Sequence, residues 1–539
     1  MKVLQIDTGD AHTCAITLPD DESAQSDPAN LTELWCWGDN TYGQAGGSGN
    51  LVATPRKVEV REGTDLQGVS TVSAGRRHTC ATVEPIQHTS YGKLQDHGYV
   101  VCWGANDRGQ LGNGSITTTI WRYPRNVQYY PPGIPDSKRD FSGVHQLSAG
   151  DDHTCGTTKN GDVWCWGANS YGQVGTGSTA DQLSAVWIPI RNVDPSVPDE
   201  VPNTEEDDLY NDVVRVAAGG NRTCAVDLGV LYCWGVVVGN GANNTYTQPV
   251  RITQDMFQSA DVPLTYTPVI DVTTGRGHTC VLAIDATPVA TTDTLVDSGR
   301  RPTYCWGDNS YRQAGQLSTS TIYKPTQIDT DDALTLDVSA GARMTCEIDG
   351  AGADLERLVG PVRCWGNYDH DGRPIADGWL FRQLTVGGTH ACAIRDTNEA
   401  YCWGSNHRGQ LGDATTSGGS WDGPVRPVVW NRPPAVPVLR SPTNGASLVT
   451  SDIVLFEITV SDPEGDQMVG TITVRDAATN EIVSEFTTTS STGGNVIGVP
   501  PAPLPPGSYT WSATATDPAG SRRQSYPSLP WSFSVASMP

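Results

Sequence analysis

Apolar and polar residues alternate along this chain in short runs, and no long segment shows helical periodicity. Residues 3–7, 453–460 and 470–474 read as strands of this kind, since side chains two apart share a face of a strand. Glycine and proline are abundant, 58 and 36 residues, and punctuate the runs with turn signals. The pattern predicts an all-β chain.

The strands recur in seven copies of one repeat. Each copy carries two cysteines: the first closes a segment such as Ala74-Gly75-Arg76-Arg77-His78-Thr79-Cys80, and the second opens Cys-Trp-Gly, as in Cys102-Trp103-Gly104. The pairs are Cys14 with Cys36, Cys80 with Cys102, Cys155 with Cys165, Cys224 with Cys233, Cys280 with Cys305, Cys346 with Cys364 and Cys392 with Cys402, and none is left over. In three short hairpins the register can be worked out. A two-residue turn at Leu228-Gly229 sets Asp227 opposite Val230 and Cys224 opposite Cys233. Three-residue loops with Gly161 and Asn398 as left-handed residues set Cys155 opposite Cys165 and Cys392 opposite Cys402. Directly opposed residues have Cα atoms about 4.5–5.5 Å apart, inside the disulfide range of about 4.4–6.8 Å. Disulfides are therefore the favoured reading, each contributing roughly 3 kcal/mol on the chain-entropy argument. A zinc site is the competing reading, because His78 and Cys80 share a strand face and Cys102 could join them. Arg222 and Met344 replace the histidine in two copies while both cysteines stay, which weighs against metal. Reduced core cysteines are a further alternative.

Successive first cysteines lie 46 to 75 residues apart, a period suited to propeller blades of about four strands. After Cys-Trp-Gly most copies continue with a turn consensus, as in Gly38-Asp39-Asn40-Thr41-Tyr42-Gly43-Gln44 and Gly404-Ser405-Asn406-His407-Arg408-Gly409-Gln410. On these residues the chain resembles the regulator of chromosome condensation repeat family, over roughly residues 3–430, and most closely its secreted bacterial branch. The resemblance weakens at Gly235-Val236-Val237-Val238 and Gly366-Asn367-Tyr368, where the turn consensus is lost. It implies a seven-bladed propeller with one disulfide per blade over residues 1–430. Residues 3–7 and 427–430 are expected to complete one shared blade, closing the ring and hiding its outer edges. Residues 431–437 read as a proline-rich linker. Residues 438–539 read as a β-sandwich without cysteine, similar to fibronectin type III or immunoglobulin-like modules.

The net charge of −25, with 29 arginines against 6 lysines, disfavours nucleic acid as a partner. No run of apolar residues is long enough to span a membrane as a helix. Disulfides persist only in an oxidising compartment, so a secreted or cell-surface protein is expected, its signal peptide absent from this chain and removed, or lying outside the fragment. The founding nuclear proteins of the family exchange nucleotide on a small GTPase and dock on chromatin, roles an acidic, disulfide-bonded chain fits poorly. The family's plant ultraviolet-B photoreceptor carries tryptophan where Arg76, Asp151, Asn221, Arg276 and Ala342 stand here, so light sensing is not expected.

Candidate chemistry is sparse. No P-loop, nucleophile elbow or zinc-protease helix is present. His12, His78, His153, His278 and His390 form a repeated set, read as a hydrogen bond that fixes a strand end rather than as catalysts. Trp37, Trp103, Trp166, Trp234, Trp306, Trp365 and Trp403 are read as core between blades. No cofactor is expected. Asn367, Asp369, Asp371 and Asp377 approach a calcium loop, but Gly378 stands where its glutamate belongs, and a plain acidic turn is the stronger reading. Residues 199–212 and 462–466 read as acidic loop segments. Trp121, Tyr123, Tyr129 and Tyr130 are candidate partner-binding aromatics. The function expected is a non-enzymatic extracellular scaffold for protein binding or adhesion, with a protein or surface glycan as ligand. The alternatives are a secreted inhibitor of a hydrolase such as a β-lactamase, after a family member that binds β-lactamases, and a structural subunit of an extracellular assembly.

Overall fold

The computed structural model describes residues 1–18, 32–84, 98–130, 137–190, 215–258, 268–284, 286–288, 295–297, 301–328, 334–350, 358–367, 370–376, 378–419, 425–430, 436–449, 454–461, 467–488, 491–517, 525 and 527–537. It forms two compact units, Met1–Val428 and Val429–Pro539.

Among the described residues, the first unit contains seven sheets with a common four-strand plan; six are built from consecutive strands, and in the fifth the separate hairpin Ala286–Pro288 and Leu295–Asp297 lies between the second and third strands. The first sheet, Lys2–Thr8, His12–Leu18, Glu33–Asp39 and Leu51–Lys57, shows the plan. Its strands pair in chain order, because each connection returns the chain beside the strand it has just left. The third sheet, starting at Val144–Ala149, gains two short outer strands, Gln128–Tyr129 and Arg139–Asp140. The first strands of the seven sheets neighbour one another in cyclic order, and Lys2–Thr8 packs against Phe381–Val386 of the seventh. The expectation of a shared blade fails. Residues 3–7 pair with the first sheet's own second strand, and Arg426–Pro427 pairs with Ala400–Gly404 in the seventh. The ends instead meet through Val3 N–H donating to Asn398 O at 3.1 Å and Gly388 N–H to Gly9 O at 3.1 Å.

One glycine follows each first strand: Gly9, Gly75, Gly150, Gly219, Gly275, Gly341 and Gly387. A Cβ on any of them would lie 2.0–2.6 Å from the carbonyl oxygen of the next glycine in the series, and Gly387 would meet Gly9. No other residue fits, although none of these glycines has positive φ, so close approach is the constraint. The N–H that follows the glycine donates to the next glycine's carbonyl at six of the seven joints, as from Arg76 to Gly150 and from Arg276 to Gly341, both 3.2 Å.

Side chains of the first strands extend this closure. Gln5 bonds both N–H and C=O of Val72 at 3.2 Å. Asp7 accepts from Ala74 N–H, Ser73 from Ala149, Ser148 from Ala218, Thr273 from Ala340, Ser339 from Val386 and Thr385 from Thr8. At six of the seven joints an inner strand edge thus has a backbone N–H met by a side chain of the preceding sheet, as buried polar backbone requires.

The second and third strands of each sheet carry the cysteine pair. Cys14 is bonded to Cys36, Cys80 to Cys102, Cys155 to Cys165 and Cys224 to Cys233. Cys280 is bonded to Cys305, Cys346 to Cys364 and Cys392 to Cys402. The two members of each pair stand directly opposite one another across the hairpin. Their Cα atoms are 4.0 or 4.1 Å apart. That is closer than the expected spacing at Cys36, Cys165, Cys305, Cys364 and Cys402 as at the rest, and nearest to the roughly 4.5 Å of a non-hydrogen-bonded pair. Bonded sulfurs leave no thiolate for zinc, so the metal and reduced-cysteine alternatives fall together. Leu228 and Gly229 both have positive φ, 48° and 80°, in the mirror-image turn that follows the strand twist. Gly161 and Asn398 are left-handed at 78° and 67°.

The second unit has a three-stranded sheet (Val438–Ser441, Phe456–Val460, Gly494–Gly498). Its five-stranded sheet runs in the order Ala446–Val449, Trp531–Ala536, Gly507–Thr516, Val469–Asp476, Ile482–Thr487. Phe456, Ile458 and Val496 of the smaller sheet share one core with Ile472, Trp511 and Phe533 of the larger. Phe456 meets the Trp511 ring edge-on at 5.0 Å.

Gly275→Ala, whose methyl would sit 2.0 Å from Gly341 O, is expected to cost about 3 kcal/mol or more. Gly63→Ala, with nothing within 4 Å, should cost only about 1 kcal/mol for its positive φ. Urea unfolding of the two variants measures the difference, and equal costs would contradict the ring.

Candidate functional site

Each repeated histidine opens its sheet's second strand, immediately after the glycine ring, and is fully buried. Its Nε2 reaches the threonine that follows the equivalent position in the next sheet. His12 meets Thr79 at 2.8 Å, His78 Thr154 at 2.8 Å, His153 Thr223 at 2.8 Å, His278 Thr345 at 2.6 Å and His390 Thr13 at 2.6 Å. Thr79, Thr223, Thr345 and Thr13 donate their own hydroxyl protons to the carbonyls of Gln44, Gln173, Gln313 and Gln410. Those four hydroxyls must therefore accept from the imidazoles, which fixes their tautomer with the proton on Nε2. Burial pushes His12 and His153 down to about 4, and His78, His278 and His390 to about 3. The Nε2 of each ring is thus spent on a bond between sheets, while Nδ1 is buried without a partner among the described residues. The bond expected to fix a strand end instead ties one sheet to the next.

The two exceptions are complementary. Arg222 takes the histidine place in the fourth sheet and reaches Thr279 Oγ1 at 3.4 Å and Gly277 O at 2.7 Å. Its guanidinium is pushed down to about 10 by burial, with Asp308 opposing. Met344 takes it in the sixth, and Ala391 stands where the next sheet would supply threonine. Donor and acceptor are lost together, and both residues are buried in one apolar cluster.

The repeated turn after Cys-Trp-Gly supplies the same joint. Asn40 accepts from Ala45 N–H and donates to Gly46 O and Gly49 O, closing the turn on itself. Asn106, Asn169, Asn309 and Asn406 repeat this. The closed turn presents the carbonyl of the glutamine four residues on to the next sheet's tryptophan. Trp37 donates to Gln410 O, Trp103 to Gln44 O, Trp166 to Gln110 O, Trp234 to Gln173 O and Trp365 to Gln313 O. Trp306 follows the degenerate fourth turn and donates to Val237 O. Trp403 follows the degenerate sixth, part of which lies outside the described residues, and its Nε1 has no partner among the described residues. These seven tryptophans are buried.

Charged and aromatic side chains cluster on the face bearing the turns and the glycine ring. At the axial mouth Arg276 pairs with Asp151 at 3.1 Å and Asp10 at 3.7 Å. Around it, Arg77 bridges Asp107 at 3.0 Å and Asp152 at 2.7 Å while lying over the Tyr42 ring. Arg108 pairs with Asp181 at 2.6 Å. Tyr42 and Tyr171 stand exposed in their turns. This face escaped the sequence reading, although the repeated Asn-x-Tyr/Arg-Gly positions carried its signal.

The four candidate aromatics separate. Tyr129 packs edge-on against Trp164 at 5.6 Å and Phe141 at 5.9 Å, as an added strand of the third sheet. Trp121 is half-buried under Arg125, 4.4 Å above its ring, and packs on the same cluster. Tyr123 is half-buried, and only Tyr130 is exposed. Trp187, paired across strands with Trp164, is exposed and was not anticipated. Of the calcium residues, Asp369 and Asp377 lie outside the described residues. Asp371 pairs by its backbone with Trp365, and Asn367 has a φ of 48°. Residues 199–212 and 462–466 also lie outside. The photoreceptor's tryptophan position in the fourth copy is Gly220, not Asn221, since Gly220 N–H makes the ring bond to Gly275 O.

Two sets of outcomes are expected. Met344→His alone should destabilise by about 1–3 kcal/mol by burying unmatched polarity, and adding Ala391→Thr should recover about 1 kcal/mol as coupling. A double-mutant cycle with no coupling would refute the pairing. For pH, His278 is neutral in the fold at about 3 but titrates at 6.5 unfolded. The unfolded chain takes up its proton first, so stability falls on acidification. Between about pH 6.5 and 5 the wild type should lose about 2 kcal/mol more than His278→Gln. Asp337 is raised by burial to about 7, with Asp271 adding to the shift. It acts oppositely: relative to Asp337→Asn, wild-type stability falls as pH rises from about 4 to 7. Denaturation midpoints across pH check both signs.

The profile of the regulator of chromosome condensation (RCC1) repeat matches residues 33–82, 97–156 and 160–226, and a second form matches 144–173 and 381–410. The E3 ubiquitin-protein ligases HERC2 of Mus musculus and Homo sapiens are 25% identical over 402 residues, covering 71% of this chain and 7% of their own length. The ultraviolet-B receptor UVR8 of Arabidopsis thaliana is 24% identical over 325 residues, covering 59% of this chain and 58% of its own. The chain thus spans less than two thirds of these relatives. The structure of Prp20p from Saccharomyces cerevisiae matches with a TM-score of 0.50 at 17% identity, over 79% of this chain and 87% of that one. Sheet plan, repeat sequence and matched segments agree that this chain carries regulator of chromosome condensation repeats folded as a β-propeller.

Proposed function

We propose that the protein is a non-enzymatic, extracellular or cell-surface scaffold that binds other proteins, or glycans carried on a surface. In this reading the seven sheets are the blades of one closed seven-bladed propeller. The second unit is a fibronectin type III or immunoglobulin-like sandwich acting as spacer or attachment module. The observation that carries the reading is that every cysteine of the chain is bonded within a hairpin and buried. Such a set forms and persists where the surroundings are oxidising. Protein binding is favoured by kinship: Prp20p is studied for its binding to Gsp1p and histones. The repeated polar side chains support it too, because the histidines, threonines and turn asparagines are consumed by blade-to-blade bonds. Recognition is left to the outer turns and connections.

Protein purified from its native cells and alkylated while unfolded is expected to show no free thiol and seven disulfide-linked peptides. Alkylated cysteines would end the extracellular reading. Cross-linking of the full chain on those cells should join propeller turn residues to other macromolecules. Cross-links confined to the chain itself would remove the scaffold reading.

A further inference from the structure

The turn of the fifth sheet breaks its own rule. Its counterparts place glycine at the left-handed position, with φ of 82° at Gly43, 76° at Gly109, 73° at Gly172 and 69° at Gly409. The fifth places Arg312 there, at φ 64°. At the four glycines a Cβ would crowd the next sheet's outer strand at 2.6–2.9 Å, whereas Arg312 is exposed. An L-residue in this conformation costs free energy that glycine would spare. Persistent backbone strain of this kind concentrates at functional positions.

Beside it lies a second departure. Arg343 of the sixth sheet stacks 4.4 Å over the ring of Tyr311, the residue before Arg312. Arg77 makes the matching stack on Tyr42, at 5.1 Å, but is neutralised by Asp107 and Asp152. The acid corresponding to Asp152 is replaced by Thr389 next to Arg343. Asp369, which aligns with Asp107, lies outside the described residues. No described carboxylate pairs with Arg343 or with Arg312. The nearest acid of the turn, Asp308, is engaged by Ser310 N–H at 3.0 Å and Gln313 Nε2 at 2.9 Å. A guanidinium held over a tyrosine ring by its face can still use its N–H edge, which suits a carboxylate bound by two parallel bonds. In a chain of net charge −25, two adjacent arginines without acids form a local exception.

We infer that Tyr311, Arg312 and Arg343 form a docking point for a carboxylate-rich segment of a partner protein. The inference rests on the protein-binding reading and gives it a place and a chemistry. Such a segment would be repelled by much of this acidic surface, which favours a site where two cations stand side by side without a described acid partner.

Fluorescence anisotropy of labelled hexaglutamate against the full chain, in about 50 mM salt to limit screening, tests the point. Saturable binding is expected. It should weaken at least tenfold in Arg312→Gly/Arg343→Thr, which restores the residues found at the matching positions. Arg108→Ala, removing an arginine already paired with Asp181, should leave binding unchanged. The double variant is expected to fold as well as the wild type, since glycine suits the turn, and a matching thermal midpoint would show it. Absence of hexaglutamate binding, equal binding by the double variant, or equal affinity for inorganic sulfate would overturn the assignment. Should it fail while cross-links to other proteins are found, the scaffold reading stands and the docking point alone falls.

Discussion

Seven glycine carbonyls stacked edge to edge around one axis are the constraint on which the propeller depends. A Cβ at any of the seven positions would lie within 2.6 Å of its neighbour's oxygen, so the inner strands approach one another only because that atom is missing. The close approach brings the following N–H onto the next carbonyl at six of the seven joints and, at five, sets the histidine of one sheet against the threonine of the next. Inner strands, second strands and turns are therefore aligned by one contact repeated around the axis. Closure needs no strand exchanged between the ends of the chain. The first and seventh sheets meet through the same contact as any other pair.

The joints are not equal, and their differences follow chemical rules. Where the sixth sheet gives up its histidine the seventh gives up its threonine, because a buried donor without an acceptor would cost more than losing the bond. Where the fourth gives up its histidine, the arginine in its place still finds Thr279 and a backbone carbonyl. The fourth sheet also has Ala217 where its neighbours carry Ser148 and Thr273 as backbone acceptors. There Arg215 and Asp271 approach to 3.8 Å across the joint, beside the bonds made by Arg222 and Gly220. The two sheets that lack the turn consensus are the two that lack histidine. Tryptophan's indole then takes Val237 O in one case and has no acceptor among the described residues in the other. Disulfides stand apart from this variation: they lie within sheets and keep each hairpin in register whatever its joints do.

Much of this architecture could be read from the chain alone. Cysteine spacing located the hairpins, and turn residues such as Leu228-Gly229 and Asn398 set their registers, since both depend on neighbours close in sequence. The partner-binding aromatics were less legible. Tyr129 has the composition of a surface hot spot, yet an added strand carries it onto Trp164 and Phe141, a packing decided by residues far along the chain. Arg312 and Arg343 carry no special signal singly. They become unusual only beside Arg77 and the four turn glycines.

The sequence by itself determined the all-β class, the repeat, the cysteine pairs and the local registers, because periodicity and turn chemistry act over a few residues. The tertiary structure alone decided how the sheets are joined. The histidines were expected to serve their own strands, but they bond threonines 67 to 76 residues onward, and His390 reaches 377 residues back to Thr13. Those partners are set by ring closure, in which every sheet's surroundings are supplied by its neighbours. The same closure decided which arginines find acids and which are left to face outward.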